Sequence, residues 1–186
     1  MNAQLQEERL QAERGAPRRV LFVCTGNTCR SPMAEYLLKK ALKKAKIRGF
    51  KVCSAGVSAK KGDTINPKSA QVLLENGYPV GKFSATPLSE KVLKEGFAFI
   101  CMTERHREYL MDMRWSVLRK SGADEIENNV YSFEELAGCN IPDPYGKDVE
   151  EYRRVYALLE GGMYALIERL DLKAYALPPT PRKKKE

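Results

Sequence analysis

Histidine is almost missing from these 186 residues; His106 is the only one. A Cys–His protease pair is therefore disfavoured, and His106 reads as an exposed helix residue with no needed role. Cysteine is sparse and odd in number, five in all, and no two have the CxxC spacing of a zinc site. Free thiols fit a reduced, cytoplasmic setting. No stretch approaches the roughly 20 apolar residues of a membrane span, and the N-terminus lacks an apolar signal core. The one run resembling a nucleotide P-loop, Gly77-Tyr-Pro-Val-Gly81-Lys82-Phe83, is a residue short and has no Ser or Thr after its lysine.

Positive charge is in excess, with 32 Lys and Arg against 24 Asp and Glu. It gathers in residues 32–51, seven basic against Glu35 alone, and in the end of the chain, Arg182-Lys183-Lys184-Lys185 against Glu186. Such patches suit anionic partners. No aromatic residue falls between Lys39 and Lys46, so a single-strand stacking platform is not indicated and no nucleic-acid partner is expected.

The length fits one domain. Residues 1–17 read as a flexible polar extension, 18–172 as the domain, and 173–186 as a basic, Pro-rich disordered tail. Val20-Leu21-Phe22-Val23 predicts a buried strand. Helical periodicity follows from Met33, with Ser31 as N-cap, Pro32 at the first position and Gly49 as the stop. Strands are expected at Lys51–Ala55, Phe97–Met102 and, weakly, Val130–Ser132. Helices are expected from Pro67 to Asn76, from Thr86 to Leu93, after a Thr103 cap, and from Val149 to Leu170 with a bend at Gly161-Gly162. Alternating strands and helices imply an α/β fold with a parallel sheet covered on both faces. Ligands of such sheets bind beyond the carboxyl ends of the strands.

CTGNTCRS, Cys24 to Ser31, occupies that position after the first strand. Gly26 and Asn27 can take positive φ, so that successive amides, from Thr25 to Arg30, turn toward one centre. With a helix N-terminus behind it, such a nest binds an oxyanion. Arg30 adds a planar fork for two phosphate oxygens. Cys24 lies at the bottom of the cradle, where the donors and Arg30 favour the thiolate and the Ser31 hydroxyl can donate to the sulfur. These residue types suit phosphoryl transfer through a phosphocysteine. A phosphate or sulfate ion would fit the same loop. Cys-x5-Arg alone is a weak signal. Cys101 to Arg107 repeats it without glycine and with Glu104 inside, which reads as a strand end followed by a helix start.

The longer run CTGNTCRSPMAE resembles the signature of the low-molecular-weight protein tyrosine phosphatase family. Ser54-Ala55-Gly56, the strand ending Met102-Thr103, and Asp143-Pro144-Tyr145-Gly146 follow in order. The likeness covers about residues 18–172 and is of the bacterial type, nearest the protein-arginine phosphatases. It implies a three-layer sandwich with a four-stranded parallel sheet flanked by helices, phosphorylated protein substrates and no cofactor or metal. It implies Asp143 as general acid and then base, and Tyr145 as an aromatic wall of the entrance. Asn27 and Ser54 would hydrogen-bond to hold the loop. Cys29 would form a reversible disulfide with Cys24. Thr28 stands where phosphotyrosine enzymes usually carry Ile or Leu and protein-arginine phosphatases carry Thr; its hydroxyl favours phosphoarginine, with phosphotyrosine the alternative. Two remoter alternatives are an arsenate reductase, disfavoured because residues 79–97 hold no cysteine, and a phosphoresidue-binding module without turnover.

Overall fold

A computed structural model describes residues 17–123, 126 and 128–177. The expected flexible extension up to residue 16 and the Pro/Lys-rich segment from 178 lie outside the described residues. The apolar run around Val20 becomes strand β1, Arg18–Cys24, with helix α1, Arg30–Lys44, directly after it. Strand β2 is Phe50–Gly56, and helices α2, Pro67–Glu75, and α3, Glu90–Glu95, precede strand β3, Gly96–Cys101. Helix α4, Glu104–Lys120, leads to strand β4, Val130–Ser132, then helices α5, Phe133–Ala137, and α6, Val149–Arg169.

The four strands are all parallel, in the order β2-β1-β3-β4. The pleat of the two inner strands sorts their side chains between two cores. Val20, Phe22, Ala98 and Ile100 face α1, α2, α5 and α6, whereas Leu21, Val23, Phe99 and Cys101 face α3 and α4. Helices cover both faces, as the α/β pattern required. Polar caps start most helices: Asn66, Ser89, Thr103, Ser132 and Asp148 each accept a main-chain N–H with their side chains.

Several local expectations give way. Helix α1 begins at Arg30, before Ser31-Pro32, and its Cys29 cap position has no side-chain cap bond. The Ser31 hydroxyl is instead directed at Cys24 and Asn27. The same helix ends at Lys44, and Gly49, with φ +93°, shapes the turn into β2. The helical piece expected from Thr86 starts only at Glu90, because Pro87 bridges to Gly56. Helix α5 is additional to the helices expected from sequence; Ser132 and Glu135 form its capping box and Gly138 closes it with φ +73°. Helix α6 runs unbroken through Gly161-Gly162. Gly162 serves packing: a Cβ there would stand 2.6 Å from the Phe133 ring. Residues 173–177, assigned to the tail from sequence, pack against the domain. Tyr175 stacks edge-on to Phe97, and the Leu177 N–H donates to the Arg48 carbonyl at 3.0 Å.

Candidate active site

The loop between β1 and α1 opens at the carboxyl edge of the sheet. Its shape depends on Asn27, which is fully buried at 0% exposure and holds φ +55°. Gly26, also expected in positive φ, is not among the positive-φ glycines. The cost of the left-handed conformation is offset by two side-chain bonds. The Thr86 N–H donates to Asn27 Oδ1 at 2.8 Å, and Asn27 Nδ2 donates to Ser31 Oγ at 2.9 Å. A third restraint is the close approach of β2. A Cβ on Gly56 would lie 2.5 Å from the Thr25 carbonyl and 2.8 Å from the Asn27 nitrogen, so only glycine fits there. Among the described residues, the amides of residues 26–29 donate to no other main-chain group, which leaves them available to an oxyanion.

Cys24 Sγ lies 3.0 Å from Ser31 Oγ. Because Asn27 already donates to that oxygen, the Ser31 hydrogen is left for either Cys24 Sγ or the Ala55 carbonyl, the latter at 3.4 Å. A thiol can donate to Ser31 while Ser31 donates to Ala55. A thiolate takes the Ser31 hydrogen itself.

Cys24, Thr25, Thr28, Arg30, Asp143 and Tyr145 line one cavity of about 300 Å³, with Gly26, Cys29 and Asp63 also at its wall. Arg30 is 4% exposed, pairs with Asp143 Oδ2 at 2.9 Å and donates to the Ile141 carbonyl at 3.4 Å. Its Nε is buried without a protein partner among the described residues. Asp143 opens a turn in which the Lys147 N–H donates to the Pro144 carbonyl, and Gly146 takes φ +78°. The turn leaves the Asp143 side chain 52% exposed and Tyr145 72% exposed at the rim. Bringing Asp143 to Arg30 across 113 residues is the contribution of the tertiary fold.

Two residues behave differently from expectation. Ser54 Oγ donates to Glu35 Oε2 at 2.6 Å, on the helix behind the loop, rather than bracing the loop itself. Asn27 takes its support from Thr86 and Ser31 instead. His106 is not an idle exposed residue: it is half-buried, its Nε2 2.9 Å from Thr25 Oγ1 and its Nδ1 2.7 Å from Thr103 Oγ1. Burial, with the charge of Arg30 nearby, pulls its pKa down to about 4. The imidazole is therefore neutral near pH 7 and ties the loop to the start of α4. Its place in Cys-Met-Thr-Glu-Arg-His, directly after a strand, was the available signal.

The other thiols diverge in setting. Cys29 is buried against Tyr152, with 3.6 Å between sulfur and hydroxyl, and burial pushes its thiol up. Cys101, head of the second Cys-x5-Arg, is wholly buried in β3 and pushed strongly upward by desolvation. Arg107 of that copy turns away, to the Val130 carbonyl and Glu104. All five cysteines are free. Among the described residues, no group of three or more His, Cys, Asp or Glu could hold a metal, and no helix is long and apolar enough to cross a membrane.

Residues 19–175 match the family described as Low molecular weight phosphotyrosine protein phosphatase. The low molecular weight protein-tyrosine-phosphatase PtpB of Staphylococcus haemolyticus is 32% identical over 143 residues, 76% of this chain and 91% of that protein. A protein-arginine-phosphatase of Geobacillus stearothermophilus is 32% identical over 155 residues, 83% of this chain and 97% of that one. The solved low molecular weight protein tyrosine phosphatase of T. tengcongensis superposes with a TM-score of 0.68 at 32% identity, covering 82% of this chain and 99% of that one.

Proposed function

This chain belongs to the low molecular weight phosphotyrosine protein phosphatase family, and from that membership we propose that it removes phosphoryl groups from protein side chains through Cys24, with phosphoarginine favoured. The observation that carries the reading is one cavity lined by Cys24, Arg30 and Asp143 at the start of α1.

The phosphoryl group enters with its oxygens on the loop amides and the Arg30 fork, which releases Asp143 from its ion pair. The Cys24 thiolate attacks phosphorus. Freed from Arg30, Asp143 takes up a proton from solvent; an S–P bond then forms as the bond to the leaving nitrogen or oxygen breaks, and Asp143 gives that atom the proton. Asp143 then takes a proton from water, whose oxygen displaces the thiolate and releases inorganic phosphate. Ser31, the loop amides and Arg30 stabilise negative charge throughout. Ser54 acts at one remove, through Glu35 on α1.

Thr28 supports phosphoarginine. Its side chain stands at the cavity wall, where a hydroxyl can accept from a guanidinium that an aliphatic residue would leave unpaired. Tyr145 favours the second reading, phosphotyrosine, since an exposed aromatic ring at the rim suits another ring. Cys29, at the same wall, would close a disulfide with Cys24 when a peroxide accepts the two electrons, sparing Cys24 deeper oxidation.

Wild type assayed side by side on phosphoarginine and phosphotyrosine peptides tests the reading, with Cys24→Ser as the control. Faster release of phosphate from phosphoarginine, abolished in the control, is expected. A ratio in favour of phosphotyrosine transfers the function to the second reading. A folded wild type silent on both peptides and on p-nitrophenyl phosphate removes the enzyme reading.

A further inference from the structure

Asp63 stands at the wall of the phosphate cavity and takes no part in the chemistry above. Its segment is fixed by main-chain bonds. The Asp63 N–H donates to the Lys60 carbonyl at 3.1 Å, the Ala85 N–H to the Asp63 carbonyl at 2.8 Å, and the Asn66 N–H to the Thr28 carbonyl at 2.9 Å. The last bond ties this segment to the loop itself, beside the residue that favours phosphoarginine. The Asp63 residue is exposed, and its carboxylate makes no hydrogen bond or ion pair among the described residues.

A second carboxylate is out of place in a cavity built for an anion. Asp143 pairs with Arg30 at rest and carries a proton when it acts as the acid, but Asp63, with no partner for its carboxylate among the described residues, repels an incoming phosphoryl group. An aromatic ring against it would only strip its water. The conflict disappears when the phosphorylated group carries its own cation next to the phosphoryl group. Phosphoarginine does so through its guanidinium; phosphotyrosine does not.

We propose that Asp63 is a cation subsite at the mouth of the cavity, receiving the guanidinium of a phosphorylated arginine while Arg30 and the loop amides hold its phosphoryl group. The subsite rests on the phosphoarginine reading above. Thr28 and Asp63 then divide the recognition: the hydroxyl accepts one N–H and the carboxylate answers the charge.

The test compares initial rates of wild type, Asp63→Asn and Asp63→Glu on a phosphoarginine peptide and on p-nitrophenyl phosphate, with thermal melts as a check on folding. In Asp63→Asn, kcat/KM for phosphoarginine falls about five- to tenfold, carried by KM. On the aryl phosphate it rises by up to about twofold, because a like charge has gone. Asp63→Glu recovers part of the phosphoarginine loss. The wild-type advantage shrinks in high salt, as an exposed ion pair requires. Constants that move together, or a ratio within about twofold of wild type, overturn the subsite and assign Asp63 to the solvated surface. A wild type that cleaves the aryl phosphate but not phosphoarginine defeats the substrate reading first, and the subsite with it. The two failures are therefore distinguished by the wild-type assay alone.

Discussion

Asn27→Asp exchanges one amide nitrogen for oxygen inside a fully buried side chain and thereby reverses one hydrogen bond. In the native loop Asn27 Nδ2 donates to Ser31 Oγ at 2.9 Å, leaving the Ser31 hydrogen for Cys24 Sγ at 3.0 Å. Aspartate keeps the bond from the Thr86 N–H but turns an acceptor toward Ser31, which must then donate to it. Aspartate also tolerates φ +55°, so backbone strain is not the variable. Cys24 loses a donor to its charged form and gains a carboxylate neighbour. A hydrogen bond to a charged group contributes about 1.5–3 kcal/mol. The same energy lowers kcat/KM near neutrality about tenfold to a hundredfold. The rate of iodoacetamide alkylation of Cys24 at pH 7, read by peptide mass spectrometry alongside kcat/KM, reports the loss of nucleophilicity directly. A variant alkylated as fast as the wild type would show that the Ser31 relay does not activate the sulfur, and that the amides and Arg30 do so alone.

Asp143→Ala should lower kcat by about 10²–10⁴ with KM little changed, a split measured on substrates with poor leaving groups; an intact kcat removes Asp143 from proton transfer. Thr28→Ile should shift the ratio of kcat/KM values toward phosphotyrosine by about tenfold, since a buried guanidinium N–H left unpaired costs about 1–3 kcal/mol; an unchanged ratio shows that Thr28 is not the filter. His106, at about 4 in the fold against 6.5 when unperturbed, binds its proton later than the unfolded chain does. Its contribution to stability is present above pH 6.5 and is lost as the pH falls toward 4. Urea titrations of wild type and His106→Gln should show a shallower acid slope in the variant, and equal slopes contradict the shift. Gly162→Ala would press a methyl against the Phe133 ring at 2.6 Å and Ala137 at 2.8 Å. The overpacking of about 1–3 kcal/mol should exceed the gain of about 1 kcal/mol in helix propensity. A raised melting temperature would refute the tight contact.

Most features with a local cause were readable, helix α5 with its Ser132–Glu135 capping box excepted. Val20 to Val23 could only be a buried strand, Thr103 caps α4 as expected, and Ala34, Leu37, Leu38 and Leu42 mark the inner face of α1. Misreadings arose where a distant group competes for a local one. Ser31 has the chemistry of a cap, but Cys24 and Asn27 claim its hydroxyl. Gly161-Gly162 suggested a bend, yet the second glycine answers to Phe133 on another helix. His106 looked idle because its partner, Thr25, is 81 residues away.

The order of residues in CTGNTCRS was enough to specify a tight loop with Cys24 at its base, because a strand end, a left-handed turn and a helix start need only neighbours along the chain. Which groups surround that loop was a matter for the tertiary structure alone. Asp143 reaches Arg30, Thr86 supports Asn27, and Asp63 arrives at the cavity wall through contacts between segments far apart in sequence. Short-range geometry follows from residue type and spacing, whereas a charge brought to a site by parallel crossovers depends on how the whole sheet is assembled.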